Sequence, residues 1–143
     1  MQIIQGMDTD NIEELYQLEK KYFPGNYYSR DSLFKMLENS RYYFWGVWKK
    51  ERLIGYVILL DSIDIFEIIK IAVNTSCRNQ GIGEKMLRTI LQNVEKNIHL
   101  EVRESNLAAI KLYEKMGFKN LFKRKDYYGD TGEDALVMAL SKQ

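Results

Sequence analysis

The chain has 143 residues, with 21 lysines and arginines against 20 aspartates and glutamates, and it contains one histidine, one cysteine and one proline. A hydrophobic content of 45% is typical of a globular domain and excludes a disordered chain. One cysteine excludes an internal disulfide and a cysteine-rich metal cluster, and a net charge of +1 argues against a broad nucleic-acid-binding surface.

The first residues, Met1-Gln2-Ile3-Ile4, lack the basic-then-apolar pattern of a secretory leader. No apolar run approaches the roughly 20 residues that span a bilayer. We therefore expect a single cytoplasmic domain over residues 1–143, a monomer or weak dimer with no metal, no membrane and no direct nucleic-acid partner.

The first part of the chain predicts a short strand and two helices. Residues 2–5 form the strand. Asp8 or Thr9 is expected to cap a helix that stops at Pro24-Gly25, and Ser29 is expected to cap a second, shorter helix.

Three β-prone runs follow, at residues 42–48, 53–60 and 65–73. The polar turn at residues 49–51 predicts that the first two form an antiparallel hairpin. In the third run Glu67 and Lys70 interrupt the apolar pattern, which indicates that one side of this strand faces a wet cleft.

The second half begins with the turn Arg78-Asn79-Gln80-Gly81-Ile82-Gly83, which leads into an amphipathic helix. A strand at 98–102 and a helix capped by Asn106 and stopped by Gly117 come next. Strands at 119–125 and 134–140 flank a loop at 127–132. The order β-α-α-β-β-β-α-β-α-β-β predicts an α/β (α+β) fold, a mixed sheet with helices on both faces.

The glycine-rich turn carries the first chemical signal. Glycines between a strand and a helix let backbone N–H groups approach an anion, and phosphate or pyrophosphate suits such a site. A glycine pair alone is more typical of an ordinary turn. The third glycine of a Rossmann fingerprint is absent, and no Gly-Lys-Ser/Thr of a Walker loop follows.

Longer motifs downstream identify a family. The chain resembles the GNAT superfamily of N-acetyltransferases, whose pyrophosphate loop reads Gln/Arg-x-x-Gly-x-Gly/Ala, and within it the RimI-like alanine N-acetyltransferases of ribosomal proteins and the N-terminal acetyltransferases. The segments that carry the resemblance are Leu100-Glu101-Val102-Arg103-Glu104-Ser105-Asn106, Ala109-Ile110-x-Leu112-Tyr113-Glu114-x-x-Gly117-Phe118, Arg124-x-x-Tyr127-Tyr128 and Glu133-Asp134-Ala135-x-x-Met138. The match runs from about residue 65 to 140; earlier residues match in layout and in Phe23-Pro24.

The resemblance implies a mostly antiparallel sheet whose central parallel strands, 65–73 and 98–102, splay apart to hold acetyl-CoA. Backbone groups of the first strand would bond the pantetheine, residues 78–84 the pyrophosphate, and Asn106 would both cap its helix and touch the cofactor. The expected cofactor-binding residues are Ile71, Ala72, Val73, Arg78, Asn79, Gln80, Gly81, Ile82, Gly83, Glu84, Asn106 and Tyr113.

The reaction needs a base, because an amine must be neutral to attack a thioester and an α-amine has a pKa near 8. The resemblance gives this role to Glu101, and Glu67 on the neighbouring strand is the alternative; either carboxylate would otherwise be paired across strands with Lys or Arg. Tyr113 is expected to protonate the departing thiolate, although an aromatic on a helical stripe is ordinarily core. The backbone N–H of Val73 is the expected oxyanion donor. His99 is interpreted as a surface or packing residue, and Cys77 as incidental.

Two tyrosine-bearing loops are expected to cover the acceptor, as in related N-terminal acetyltransferases. The candidate substrate-binding residues are Phe23, Pro24, Tyr27, Tyr127 and Tyr128. Gly25 departs from the Phe-Pro-Trp of bacterial RimI-like sequences, so the pocket for the first substrate residue stays open.

The leading hypothesis is an acetyl-CoA-dependent acetyltransferase acting on the N-terminal α-amine of a protein, such as a ribosomal protein, by direct transfer in a ternary complex. The alternatives are acetylation of a small amine (polyamine, amino acid or aminoglycoside) and a non-catalytic acyl-CoA-binding subunit. The basic residues between 115 and 125 raise nucleic-acid binding as a last alternative, but a solvated face, or attraction to a ribosomal or acidic partner, explains them equally well.

Overall fold

A computed structural model describes residues 2–74, 77 and 81–142. Its helices are α1 (Ile12–Tyr22), α2 (Arg30–Glu38), α3 (Ile82–Asn93) and α4 (Leu107–Lys115), and a 3-10 turn at Thr9–Asn11 precedes α1. Its strands are β1 (Gln2–Gln5), β2 (Tyr42–Lys49), β3 (Arg52–Asp61), β4 (Ile65–Val73), β5 (Asn97–Arg103), β6 (Lys119–Tyr128) and β7 (Glu133–Leu140). The predicted order of elements is confirmed.

Side-chain caps start the 3-10 turn, α2 and α4. The Asp8 carboxylate accepts a hydrogen bond from the backbone N–H of Asp10 at 2.9 Å, so Asp8 rather than Thr9 caps the 3-10 turn, whereas Asn11 at the start of α1 makes no side-chain cap hydrogen bond. Ser29 caps α2, and Asn106 caps α4 by accepting from the Ala109 N–H at 3.2 Å. Each cap satisfies a backbone donor that the helix itself leaves unpaired.

The seven strands form one sheet in the order β1-β2-β3-β4-β5-β7-β6. The β4–β5 pair is parallel and its described neighbours are antiparallel. Parallel pairing runs only from Ile65–Asn97 to Ile68–Leu100. Residues 70–73 stay paired with β3, and residues 101–103 stay paired with β7, so the two central strands diverge there.

The helices pack in two groups on opposite faces of the sheet. Alternating residues of β3 separate the two apolar clusters, since Tyr56 and Ile58 lie in one and Val57 and Leu59 in the other. The first cluster takes its helical residues from α1 and α2, and the second from α3 and α4. The predicted mixed sheet with both faces covered is confirmed.

The end of β6 differs from the prediction. Tyr127 and Tyr128 were expected in a loop at 127–132, but β6 continues to Tyr128, which pairs with Glu133. The pairing register shifts between Arg124 and Tyr128, and Asp126 has a φ of +51°. A bulge lets a strand continue past a break in alternation, and this break led the sequence pattern to end the strand early.

None of the helices described here is long and apolar enough to cross a membrane.

Candidate functional site

Three cavities lie where β4 and β5 part. One of about 480 Å³, the α3 cleft, is lined by residues 71–73, residues 81–84 and the start of α4. A second of about 420 Å³, the loop cavity, is lined by β4, β5, the segment after α1 and the end of β6. A third of about 180 Å³, the passage, shares Ile71 and Tyr113 with the α3 cleft and Glu101 and Tyr128 with the loop cavity. The three together form a route between the splayed strands.

The α3 cleft gathers the described residues expected to bind a cofactor. Residues 71–73, residues 81–84, Asn106 and Tyr113 all line it, and Cys77 is buried in the same wall. Arg78, Asn79 and Gln80, which were expected to hold the pyrophosphate, lie outside the described residues. Gly81 precedes α3 with a φ of +72°, a conformation that glycine adopts without steric cost.

The carboxylate of Glu84 lies in the first turn of α3 but is neutralised by two cations. Lys115 of α4 approaches it to 2.6 Å and Arg88 to 2.9 Å, and these contacts lower its pKa. An anion at the start of α3 would therefore meet backbone N–H groups without the full repulsion of an unpaired carboxylate.

The passage brings Glu101 and Tyr113 to one place from different elements. Glu101 lies on β5 just beyond the last residue that pairs with β4, whereas Tyr113 lies near the end of α4. The side chains of both line the passage. The splay creates this arrangement, because continued β4–β5 pairing would fill the space between them.

Glu101 is also held by the β6 end of the sheet. Its carboxylate accepts a hydrogen bond from Arg124 Nε at 3.1 Å. A hydrogen bond from Tyr127 to the same carboxylate is the main reason that the pKa of Tyr127 rises to about 12. The cross-strand pairing considered as the structural alternative is thus present, and it coexists with a position in the passage.

Tyr113 is 5% exposed, and its ring packs against Phe118 with centroids 5.7 Å apart. Burial raises the pKa of its hydroxyl to about 12, and the nearby Tyr128 adds to the effect. The phenol is therefore neutral and able to donate a hydrogen bond throughout the physiological pH range. Tyr113 thus packs in the core and also lines the passage.

Glu67 and His99 lie opposite each other on β4 and β5 and line the loop cavity. Glu67 accepts a hydrogen bond from Ser62 Oγ at 2.7 Å. His99, interpreted from the sequence as a surface or packing residue, lines the loop cavity with Glu101. The two residues are two positions apart and so share a face of β5, which is the sequence signal for His99.

Three of the five predicted acceptor-binding residues line the cavities, and the other two, Pro24 and Tyr27, do not. Phe23 lines the passage and Tyr127 and Tyr128 line the loop cavity. Pro24 is exposed, and the Tyr27 ring lies edge-on against Tyr16, with centroids 6.0 Å apart.

Arg103 of β5 holds the turn between β6 and β7. Its guanidinium donates to the Asp130 carboxylate at 2.9 Å and lies 4.0 Å from the centre of the Tyr128 ring. A Cβ on Gly25 would lie 3.9 Å from Asp130 Oδ2, so the segment after α1 and the β6–β7 turn lie next to each other.

A buried ion pair at the wall of the route was not predicted as a site feature. Lys70 of β4 donates to Glu19 Oε1 of α1 at 2.8 Å, and the side chains are 7% and 0% exposed. The Tyr56 hydroxyl donates to the other Glu19 oxygen. Burial lowers the pKa of Lys70, and the contact with Glu19 partly offsets this effect. Burial raises the pKa of Tyr56. The polar interruption at Lys70 was the sequence signal.

Among residues 2–74, 77 and 81–142, no cluster of three or more His, Cys, Asp or Glu side chains has an arrangement that could hold a metal ion.

Comparison with known proteins gives concordant results. The sequence profile of the acetyltransferase (GNAT) family matches residues 12–118. The ribosomal protein bS18-alanine N-acetyltransferase of Escherichia coli (strain K12) is 30% identical over 148 aligned positions, covering 98% of this chain and 97% of that protein. The Haemophilus influenzae protein of the same name is 32% identical over 148 positions, covering 97% and 98%. The crystal structure of the ribosomal-protein-S18-alanine N-acetyltransferase from Escherichia coli aligns with a TM-score of 0.87 at 28% identity, covering 99% of this chain and 95% of that one.

Proposed function

The chain belongs to the GNAT family of acetyltransferases, and from this premise we propose that residues 1–143 form one domain that transfers the acetyl group of acetyl-CoA to the N-terminal α-amine of a protein. One observation carries the proposal. Glu101 and Tyr113 line the same passage, which joins the α3 cleft to a cavity roofed by two tyrosine-bearing segments. A proton acceptor and a proton donor therefore flank the point where the two substrates meet.

The residues of the α3 cleft fit acetyl-CoA, which supplies an acetyl thioester. Where β4 leaves β5, backbone groups at residues 69–73 have no strand partner on that side within the described sheet, as pantetheine amides require. Ile71 and Leu112 provide apolar walls. A Cβ at Gly81 would meet no atom of the described residues within 4 Å, which leaves room there for an anion at the start of α3.

Glu101 acts as the base and takes a proton from the N-terminal ammonium, whose pKa is near 8. Arg124 and Tyr127 bind the carboxylate from the β6 end of the sheet and so fix its orientation. Glu67 lies farther from the cleft, since it lines the loop cavity but not the passage, and it is bonded to Ser62. The observations therefore favour Glu101 over Glu67.

Tyr113 donates a hydrogen bond to the sulfur as the thiolate leaves. A thiol has a pKa of about 8.5, well below the value of about 12 for Tyr113. The phenol is thus a better hydrogen-bond donor to the thiolate than a source of a fully transferred proton. The Val73 N–H is the candidate donor to the oxyanion.

The acceptor we propose is the N-terminal alanine of ribosomal protein bS18, because the relatives from Escherichia coli and Haemophilus influenzae are named for that reaction and this chain spans nearly their full length. Aromatic side chains of Tyr28, Tyr127 and Tyr128 line the loop cavity. Such rings can pack against a small first side chain while their hydroxyls meet peptide groups.

The test is release of CoA thiol from acetyl-CoA in the presence of a synthetic peptide with the bS18 N-terminus. Matched peptides begin with Ser, Met or Glu, and one control carries a blocked α-amine. Mass spectrometry should place the acetyl group on the α-nitrogen of the alanine peptide, and the blocked peptide should stay unmodified. Absence of turnover on every unblocked peptide, with acetyl-CoA still bound, would refute a protein N-terminus as acceptor.

A small-amine acceptor is the second candidate, because two carboxylates, Glu67 and Glu101, line the loop cavity and suit a cationic substrate. Competition between the alanine peptide and spermidine separates the two. Under the main proposal, the polyamine does not reduce peptide acetylation at concentrations near the peptide KM.

A further inference from the structure

We propose that Lys70 is a positioning residue that sets the segment between α1 and α2, residues 23–28, over the acceptor end of the route and thereby determines acceptor affinity. This inference rests on the proposed function. It concerns the acceptor side alone and leaves acetyl-CoA binding unchanged.

Lys70 holds this segment through several contacts. Its Nζ donates to the carbonyl oxygen of Asn26 at 2.5 Å. The same ammonium lies 4.2 Å from the centre of the Phe23 ring and 4.4 Å from that of Tyr28. A cation in contact with a backbone carbonyl and two aromatic faces defines the position of each of them.

Glu19 completes the attachment. Besides the ion pair with Lys70, its Oε1 accepts the backbone N–H of Tyr28 at 2.9 Å. Its other oxygen accepts from the Tyr56 hydroxyl of β3. The acid therefore binds the sheet and the end of the segment together, and Lys70 neutralises its buried charge.

The held residues line the route. Asn26 and Tyr28 line the loop cavity, and Phe23 and Asn26 line the passage. The segment also reaches the β6–β7 turn near Asp130, which Arg103 holds from β5. Each of the two diverging strands thus carries one cation that contacts a covering segment: Lys70 of β4 contacts residues 23–28, and Arg103 of β5 contacts the β6–β7 turn. Under the proposal, these two contacts set the distance between the covering segments at the loop cavity.

The contacts of Lys70 lie on the acceptor side. Its neighbour Ile71 lines the α3 cleft, whereas Lys70 lines the passage and the loop cavity but not the cleft. Loss of Lys70 should therefore raise the acceptor KM while leaving the affinity for acetyl-CoA unchanged. A general loss of structure would change both.

The test compares wild-type protein with Lys70→Met, Lys70→Arg and the double variant Glu19→Gln/Lys70→Met. The single methionine variant leaves Glu19 charged and buried without its cation, so it can fail to fold. The double variant removes both charges at similar side-chain volume and leaves no buried unpaired charge, so its kinetics can be measured on folded protein. Lys96→Met is the matched control, because Lys96 also makes an ion pair, with Asp61, and lies 5.1 Å from the centre of an aromatic ring, Phe66.

We expect the double variant to raise the KM for the alanine peptide about tenfold, with kcat changed much less. The dissociation constant for acetyl-CoA should stay within about twofold of wild type. Lys70→Arg, which keeps the cation, should recover part of the peptide affinity. Lys96→Met should behave as wild type.

Two results would overturn the inference: a folded double variant with unchanged peptide KM, or a parallel loss of acetyl-CoA affinity. Hydrogen exchange gives a readout that does not need turnover, since amides of residues 23–28 should exchange faster in the double variant while those of β3 do not. If wild type acetylates no peptide, the proposed function fails, and this exchange comparison still decides whether Lys70 holds the segment.

Discussion

At the scale of single residues, Glu101 has two sets of neighbours that impose different demands. Arg124 and Tyr127 bind its carboxylate from the β6 end of the sheet, whereas its place in the passage is where the proposed mechanism brings the amine. A base that is already hydrogen-bonded keeps its orientation before substrate arrives. In the proposed mechanism the ammonium of the acceptor N-terminus shares this carboxylate with Arg124. Substitution of either residue therefore tests the role of Glu101.

Replacement of Glu101 by Gln should lower kcat/KM for the peptide by about 10²-fold at pH 7, since the amide cannot accept the proton. The loss should shrink as pH rises above 8, because more of the α-amine is then already neutral. Steady-state rates between pH 6.5 and 9.5 measure this dependence, with acetyl-CoA affinity checked by calorimetry.

Two variants serve as controls for that experiment. Arg124→Gln breaks the ion pair but keeps the carboxylate, so its loss should be much smaller. Glu67→Gln should also cost less than Glu101→Gln. A larger loss for Glu67→Gln would transfer the role of base to Glu67.

Tyr113→Phe should reduce kcat by a factor of about 10² or less, with little change in melting temperature because the ring still packs against Phe118. A pKa of about 12 keeps the phenol protonated at every accessible assay pH. The ratio of wild-type to variant kcat should therefore stay constant from pH 6.5 to 9.5. A ratio that falls steeply within this range would show that the hydroxyl ionises there, against the assignment.

At the scale of elements, the start of α3 depends on two glycines for different reasons. Gly81 has a φ of +72°, which L-residues adopt at a cost of about 1 kcal/mol. Gly83 lies inside the helix, and a Cβ there would meet Leu112 Cδ2 at an ordinary 3.5 Å. Alanine at Gly83 therefore fits the protein and is a better helix former.

Gly81→Ala should lower the melting temperature and weaken acetyl-CoA binding. Gly83→Ala should leave the melting temperature equal or higher, yet weaken acetyl-CoA if phosphate approaches the backbone at that residue. Calorimetric titration and thermal unfolding of both variants separate folding from binding. Normal acetyl-CoA affinity in both would refute the placement of the phosphates at this turn.

β3 also constrains the strand that borders the cleft. A Cβ on Gly55 would lie 2.9 Å from the carbonyl oxygen of Ala72 on β4. Because this neighbour is backbone, the contact can relax only by a shift of β4 in the stretch that diverges from β5. The close approach of β3 thus helps to fix the wall of the α3 cleft.

At the scale of the whole molecule, basic and acidic residues are nearly equal in number. Many of them form surface ion pairs, and several of these pairs make the stability of the fold depend on acid pH. Arg30 holds the pKa of Glu13 at about 2, against an ordinary value of 4.5. The pKa of Glu84 is lowered by Lys115, that of Glu133 by Ser105 and Arg103, and that of Asp61 by Lys96. In each case the folded state binds its proton at lower pH than the unfolded chain does.

The melting temperature should therefore be nearly constant between pH 6 and 7 and should fall as pH drops from about 4.5 towards about 2, where these carboxylates become protonated in the folded state. Circular dichroism at a series of pH values measures the fall. The fall in melting temperature should be smaller in Glu13→Gln. It should also be smaller in 0.5 M salt, because salt screens exposed ion pairs. A flat profile down to pH 3 would contradict this coupling.

Local patterns predicted most of the elements and much of the site. Asp8, Ser29 and Asn106 were identified as caps because a cap needs only a side chain and an N–H two or three residues away. The motif around Glu101 and Tyr113 predicted that both belong to one site, and the structure places both in the passage. Their catalytic roles remain predictions.

The patterns failed where geometry departs from regular alternation or depends on distant contacts. The bulge before Tyr128 interrupts the alternation of β6, so the sequence pattern placed the end of this strand too early. The partners Lys70 and Glu19 lie 51 positions apart, so neither predicts the other in sequence. Lys70 lines the loop cavity, as the polar interruption of β4 indicates, but its ammonium is also buried against Glu19 of α1.

The sequence by itself determined the order of elements, the helix caps, the glycine turn and the family motifs, because each of these is encoded within a few consecutive residues. The tertiary structure decided where β4 and β5 part, which side chains line the passage, and which cations hold the covering segments. Those features depend on strand register and on contacts between elements, since a buried charge finds its partner through the packing of α1 on the sheet.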